Sequence, residues 1–270
     1  MAICGAALLT TSCSQDDDLT AGSASRVTIT VNSPELSTRS DGSAATQLQY
    51  LLYDIQVDGF KVLCGDPVKT GVSTFPFTLE DLDVVTGHNY GILLWASESG
   101  SPYSVDWKEG TLTVDYDEAT ANSETLDAFY AYETFTVEGS VNLNVTMTRP
   151  FAMINIGTTK NPEKDATSTI SVTGVPESLN LITGELSETN TEAITFPYAA
   201  VPTGIGYPIE GYNYLSFAYV LAPKEGAQST ITYFYKVGEG EPISASAENI
   251  TLKANYKVNI YGDLPLSANN

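Results

Sequence analysis

Apolar and polar residues alternate with period two along much of this chain. Val27-Thr28-Ile29-Thr30-Val31 is the clearest case, and a strand there sets Val27, Ile29 and Val31 on one sheet face. Strand-like runs recur at 48–57, 74–79, 90–96, 111–115 and 141–147, then at 151–156, 169–172, 215–222, 230–237 and 255–261. Gly, Pro, Asn and Asp break them at short intervals, as in β-sandwiches. A single short helix or turn is predicted within 118–132, resting on Ala119, Leu126, Phe129 and Tyr130. Strands with one wet and one buried face imply antiparallel sheets packed face to face. The runs are too many for one sandwich of about 100 residues. At Thr148-Arg149-Pro150 a proline interrupts one strand and a fresh apolar run begins, so two all-β domains are expected at 27–148 and 149–270. Residue matching finds no repeat between the halves.

The start of the chain carries a different pattern. Ala6-Ala7-Leu8-Leu9-Thr10-Thr11-Ser12 runs into Cys13, and Ser14-Gln15-Asp16-Asp17-Asp18 follows. This resembles a bacterial lipoprotein signal, with residues 1–12 as signal peptide and 13–26 as a flexible acidic and small-residue tether. The resemblance implies removal of the peptide and acylation of Cys13, palmitate included, which anchors the chain because more than one acyl chain is attached. The acidic run resembles the surface-export signal of Bacteroidales lipoproteins and implies the outer face of the outer membrane. No Lys or Arg precedes Arg26, so the basic segment of a secretory signal is missing, and a start codon further upstream is one explanation.

Composition narrows the chemistry. A formal charge of -21, from 33 acidic and 12 basic residues, excludes a nucleic-acid partner by repulsion from phosphate. Cys64 is the one cysteine beyond the signal, so no internal disulfide is expected, and its setting in Lys61-Val62-Leu63-Cys64 suits a packed strand. The single histidine, His88, reads as a loop residue, and no GxSxG or HExxH motif accompanies it. Asp115-Tyr116-Asp117-Glu118 lacks EF-hand spacing and reads as a solvated acidic loop rather than a Ca²⁺ site. No catalytic residue, cofactor or metal is expected. Tyr207, Tyr212 and Tyr214 suit core packing better than stacking on sugars.

Several segments resemble the Bacteroidales fimbrillin family, subunits of type V pili. They are the lipoprotein-like start, Val27 to Val31, Pro34-Glu35-Leu36-Ser37-Thr38-Arg39, Leu126-Asp127-Ala128-Phe129-Tyr130 and Thr148-Arg149-Pro150-Phe151-Ala152-Met153-Ile154-Asn155-Ile156-Gly157. Val172-Thr173-Gly174-Val175-Pro176, the run from Tyr214 to Ala222, and Asn255-Tyr256-Lys257-Val258-Asn259-Ile260-Tyr261-Gly262 follow in the family's order. The resemblance implies two tandem transthyretin-like antiparallel β-sandwich domains. It also implies export as a lipoprotein and cleavage by an Arg-specific protease after Arg39. The strand bearing Val27, Ile29 and Val31 is then displaced, and a neighbouring pilus subunit's strand fills the groove. Arg26 ranks below Arg39 as a processing point, because cutting there frees nothing from the sandwich.

Implied partners are other pilus subunits, the outer membrane through Cys13, and a host protein or glycan. Residues 263–270 show no sustained alternation, and Pro265 cannot donate to a ladder. Either this sequence stops short of the protein's C-terminus or the subunit accepts a strand without donating one, as a tip or accessory subunit would. A monomeric glycan-binding surface lipoprotein is the alternative reading, and a hydrolase a remote one.

Overall fold

A computed structural model describes residues 26–33 and 45–266. Its first half contains β1 (Val27–Asn32), β2 (Gln47–Ile55), β3 (Lys61–Leu63), β4 (Val68–Gly71) and β5 (Phe77–Leu79). These are followed by β6 (Asn89–Ser97), β7 (Tyr103–Asp106), β8 (Thr111–Val114), β9 (Phe129–Thr136) and β10 (Val141–Thr146). The second half opens with β11 (Phe151–Thr158), β12 (Ala166–Val172), β13 (Ser178–Asn180), β14 (Ile194–Thr195) and β15 (Ala199–Ala200). It closes with β16 (Asn213–Leu221), β17 (Ala227–Val237), β18 (Ile243–Leu252) and β19 (Lys257–Gly262).

The all-β class is as the alternation predicts. The short helix or turn expected within 118–132 is a single 3-10 turn at Glu124–Leu126, and β9 begins at Phe129. Phe129 and Ala131 enter one core while Tyr130 enters the other, and this two-sided burial suits a strand between two layers.

Both halves have the same topology. In the first, one sheet has the order β10-β1-β5 and the other β3-β2-β6-β9, with β4 also on β2. In the second, the orders are β16-β11-β19 and β14-β12-β17-β18, with β15 also on β12. Each half therefore begins with a strand held between its last strand and one antiparallel neighbour. The pairings of β1 with β10 and of β11 with β19 are parallel, against the purely antiparallel sheets expected. Alternation reports which face is buried, not strand direction. Parallel pairing needs a long connection, and a whole domain supplies it here.

A fifth sheet joins the halves. The connection from β6 to β9 carries β7 and β8, and β8 pairs with β13 of the second half, Leu112 opposite Leu179. Asn122 in that connection reaches β16. Its backbone N–H bonds the Phe217 carbonyl at 2.8 Å, and its Oδ1 accepts from the Phe217 N–H at 2.8 Å. The β2-β6-β9 sheet is consequently covered on both faces. Leu48, Ile92 and Leu94 meet β1 in one core, while Leu51, Tyr53, Leu93 and Trp95 share a second core with Leu112, Leu179 and Phe151.

Candidate strand-exchange site

β1 is the central strand of a three-stranded sheet. It runs parallel to β10, Val27 opposite Val141 through Asn32 opposite Thr146, and antiparallel to β5, Ile29 opposite Leu79 and Val31 opposite Phe77. Among the described residues, neither β5 nor β10 pairs with any other strand. Val27, Ile29 and Val31 are fully buried, and the intervening Thr28, Thr30 and Asn32 are half-buried. The period-two pattern therefore places the three predicted residues together, side chains inward, as a row of plugs in the first-half core. Burying them contributes about 5–9 kcal/mol in all, at about 1.5–3 kcal/mol each.

The ends of β10 are fixed independently of β1. On the N-terminal side, Val137 exchanges backbone hydrogen bonds with the segment before β6, to the His88 carbonyl at 3.0 Å and from the Gly87 N–H at 2.6 Å. On the C-terminal side, Thr148 and Tyr130 bond reciprocally at 2.7 and 2.9 Å. The next residue, Arg149, is 3% exposed and faces Asp127, which is fully buried. Arg149 Nε and Nη2 donate to the two carboxylate oxygens at 2.5 and 2.7 Å, and Nη1 reaches Asn255 Oδ1 at 3.3 Å. The guanidinium also lies 5.1 Å from the Phe129 ring centre. Nearby, Tyr219 donates to Glu124 at 2.8 Å, and burial with the Asp127 and Glu124 charges holds its hydroxyl proton far more tightly than usual. Three separated segments quoted for the family resemblance, around Asp127, Arg149 and Asn255, thus meet at one junction. Sequence reading did not single out Arg149 or Asp127. The available signal was an arginine embedded between two apolar strands.

Other candidates fall into place as structure. Tyr207 and Tyr214 are buried with rings 5.0 Å apart, and the Tyr207 hydroxyl lies 3.3 and 3.2 Å from the Asn155 and Ile260 carbonyls. Gly157 makes room for that ring, since a Cβ there would sit 2.6 Å from it. His88 precedes β6 and bonds Asp54 through Nδ1 at 2.8 Å. Asp115 caps its own turn, accepting from the Asp117 and Glu118 N–H groups at 3.1 and 3.3 Å. Cys64 directly follows β3 and is half-buried against the first-half core. Arg26 pairs with Asp81 at 3.3 Å on the surface, and its carbonyl accepts from Val141. Cys13 and Arg39 lie outside the described residues. Among the described residues, no cluster of His, Cys, Asp and Glu is arranged to hold a metal, and no helix is long and apolar enough to cross a membrane.

A family model, DUF6562, matches residues 20–267, which takes in both sandwiches and their bridging sheet. The chain belongs to DUF6562, a family of unknown function. No curated protein matches this DUF6562 chain by sequence. Its fold is shared with solved structures from Bacteroides. A DUF1812 protein of Bacteroides thetaiotaomicron VPI-5482, provisionally described as polysaccharide-binding, aligns with a TM-score of 0.54 at 12% identity, over 83% of this chain and 80% of its own. A provisional adhesin of Bacteroides ovatus gives 0.52 at 11% identity, over 82% and 77%. A second adhesin so described, from Bacteroides thetaiotaomicron VPI-5482, gives 0.51 at 14% identity, over 84% and 81%. At these identities the likeness is one of fold. It agrees with the two-sandwich architecture that the fimbrillin resemblance implies.

Proposed function

We propose that this DUF6562 chain is a fimbrillin-like adhesin or pilus subunit of the cell surface, exported as a lipoprotein on Cys13 and assembled by donor-strand exchange after cleavage at Arg39. The observation that supports this is the position of β1. Among the described residues it is the only strand partner of both β5 and β10, it ends at Asn32, and a further segment of chain separates it from β2. Cutting the chain between β1 and β2 leaves β1 held only by non-covalent contacts. Its loss exposes unpaired ladder groups and three apolar pockets, which another chain's strand fills by β-augmentation. Burial of Val27, Ile29 and Val31 is large enough to retain the cut strand until a donor competes for the same pockets. The donor must run parallel to β10 and carry apolar residues at alternate positions. The adhesin descriptions of the Bacteroides neighbours favour a surface role of this kind. A glycan-binding lipoprotein, suggested by the description of the DUF1812 neighbour, gains nothing from the tyrosine cluster, whose members Tyr207 and Tyr214 are packed inside.

Limited digestion of the lipid-free protein with an Arg-specific protease tests the proposal by intact mass and size analysis. The expected outcome is one cut after Arg39, followed by displacement of the β1 fragment and growth of oligomers when a donor peptide or partner subunit is added. Resistance at Arg39, or a cut protein that stays monomeric with β1 bound in the presence of donors, returns the glycan-binding reading.

A further inference from the structure

We propose that the β3–β4 edge of the first-half sheet is a second docking site, which takes an extended polypeptide segment bearing apolar and acidic side chains. β2 pairs with β6 on one side and with only β3 and β4 on the other, so these short strands form the sheet's margin. Hydrogen bonds from Gln56 N–H to the Phe60 carbonyl and from Cys64 N–H to the Leu52 carbonyl fix the ladder phase. Phe60 and Cys64 turn their backbone groups toward β2, and by alternation Lys61 and Leu63 turn theirs outward. Among the described residues, no hydrogen bond reaches those outward groups. They are a row of donors and acceptors spaced for another strand.

The side chains beside this edge are apolar to an unusual degree. Val57, Phe60, Val62 and Val68 are four of the nine large hydrophobic residues exposed among the described residues, and Phe60 is 66% exposed. The turn that presents Val57 and Phe60 is closed by its own hydrogen bonds. Gly59, at a φ of 84°, completes a turn closed by its N–H to the Gln56 carbonyl at 2.8 Å, and Asp58 Oδ1 accepts from the Phe60 N–H at 3.0 Å. A cleft of about 520 Å³ lies alongside, lined by Phe60, Lys61, Val62 and Leu63 of the edge and by Lys108, Glu109 and Ile182 across from it. The far wall is equally fixed: Asn180 Oδ1 accepts from the Ile182 and Thr183 N–H groups at 3.0 and 2.8 Å, and Nδ2 donates to the Glu109 carbonyl at 3.1 Å.

Charge sets the chemistry of the occupant. Lys61 and Lys69 project from the edge, and neither is ion-paired among the described residues, in a molecule carrying 33 acidic residues and 12 basic ones. Edge lysines often guard against strand pairing. A guard alone does not account for four exposed apolar side chains beside it. The register puts Phe60, Val62 and Val68 on one face of this edge and Lys61 and Lys69 on the other. Together they select an alternating strand whose apolar residues lie against the first row and whose carboxylates meet the lysines. The inference rests on the edge geometry and is independent of strand exchange at β1.

The test uses the uncleaved protein, so that β1 stays in its slot, and a fluorescein-labelled peptide of alternating valine and aspartate. Saturable anisotropy binding is expected, at least tenfold weaker for the Lys61→Glu/Lys69→Glu variant, for a lysine-for-aspartate peptide and for a peptide N-methylated at alternate residues. Amide exchange at Lys61 and Leu63 should slow in the complex. Absence of binding overturns the proposal, as does equal affinity for the N-methylated peptide or the variant, or protection confined to β10. Unchanged circular dichroism of the variant confirms that these surface substitutions leave the fold intact.

Discussion

Arg149 shows how much one residue decides in this protein. Its guanidinium is enclosed by Asp127, Asn255 and the Phe129 ring, so segments before β9, β11 and β19 are fixed against one another. A buried ion pair is weak evidence of net stability, because two charges must be desolvated to form it. Breaking one is another matter. Arg149→Met leaves the Asp127 carboxylate buried without its cation and is expected to cost about 3–5 kcal/mol, read as a lower urea midpoint. Arg149→Met combined with Asp127→Leu should recover much of that loss. A double variant no better than the single one would show that the pair's value lies in its hydrogen-bond geometry rather than its charge balance. The pair was not legible in the sequence, since residues 127, 149 and 255 are brought together only by the packing of three different elements.

At the scale of elements, β1 was legible and its surroundings were not. Five alternating residues state which side chains face inward, and the structure agrees at Val27, Ile29 and Val31. Nothing in them states that the parallel partner lies at residues 141–146. Strands with small or charged residues also escaped notice. β18 reads Ile-Ser-Ala-Ser-Ala-Glu-Asn-Ile-Thr-Leu; its inward row of Ile243, Ala245, Ile250 and Leu252 packs on the larger core, but the row runs through small residues and is broken at Glu248 and Asn249, where the pairing with β17 shifts register. Ile29→Ala is expected to cost about 2–5 kcal/mol through the cavity left in the first-half core. Thr30→Ala, on the outward face, should cost well under half as much. If β1 is the exchanged strand, Ile29→Ala also speeds donor uptake by the Arg39-cut protein, measured as the rate of oligomer growth; equal rates in the two variants would count against it.

At the scale of the molecule, packing ties the two halves together. The β7-β8-β13 sheet takes strands from both sides of Thr148-Arg149-Pro150, and the larger core continues across that point. Buried tyrosines are distributed through it. Burial raises the pKa of Tyr53, Tyr103, Tyr116, Tyr207 and Tyr219 well above the ordinary value, and it pushes Tyr233 up to about 12. The folded state therefore keeps protons that the unfolded chain releases near pH 10. Their contribution is fully present below about pH 10 and is lost as pH rises toward the folded values, at about 1.4 kcal/mol per pH unit for each such tyrosine. Alkaline unfolding should be steep, with most tyrosinate absorbance appearing together with the loss of near-ultraviolet circular dichroism. Tyrosinate appearing in full while the tertiary signal persists would contradict the burial described.

By itself the sequence determined the all-β class, the inward row of β1 and a strongly acidic overall charge. Each of these is a local or summed property: side-chain period, turn residues and charge are written in consecutive positions. The tertiary structure alone decided that the halves share one topology, that a bridging sheet and the Arg149–Asp127 pair join them, and that β3 and β4 form the margin of their sheet among the described residues. Those features depend on which strands meet across long stretches of chain. Pairing partners are chosen by the combined burial of both faces of a sheet, a quantity no single segment carries.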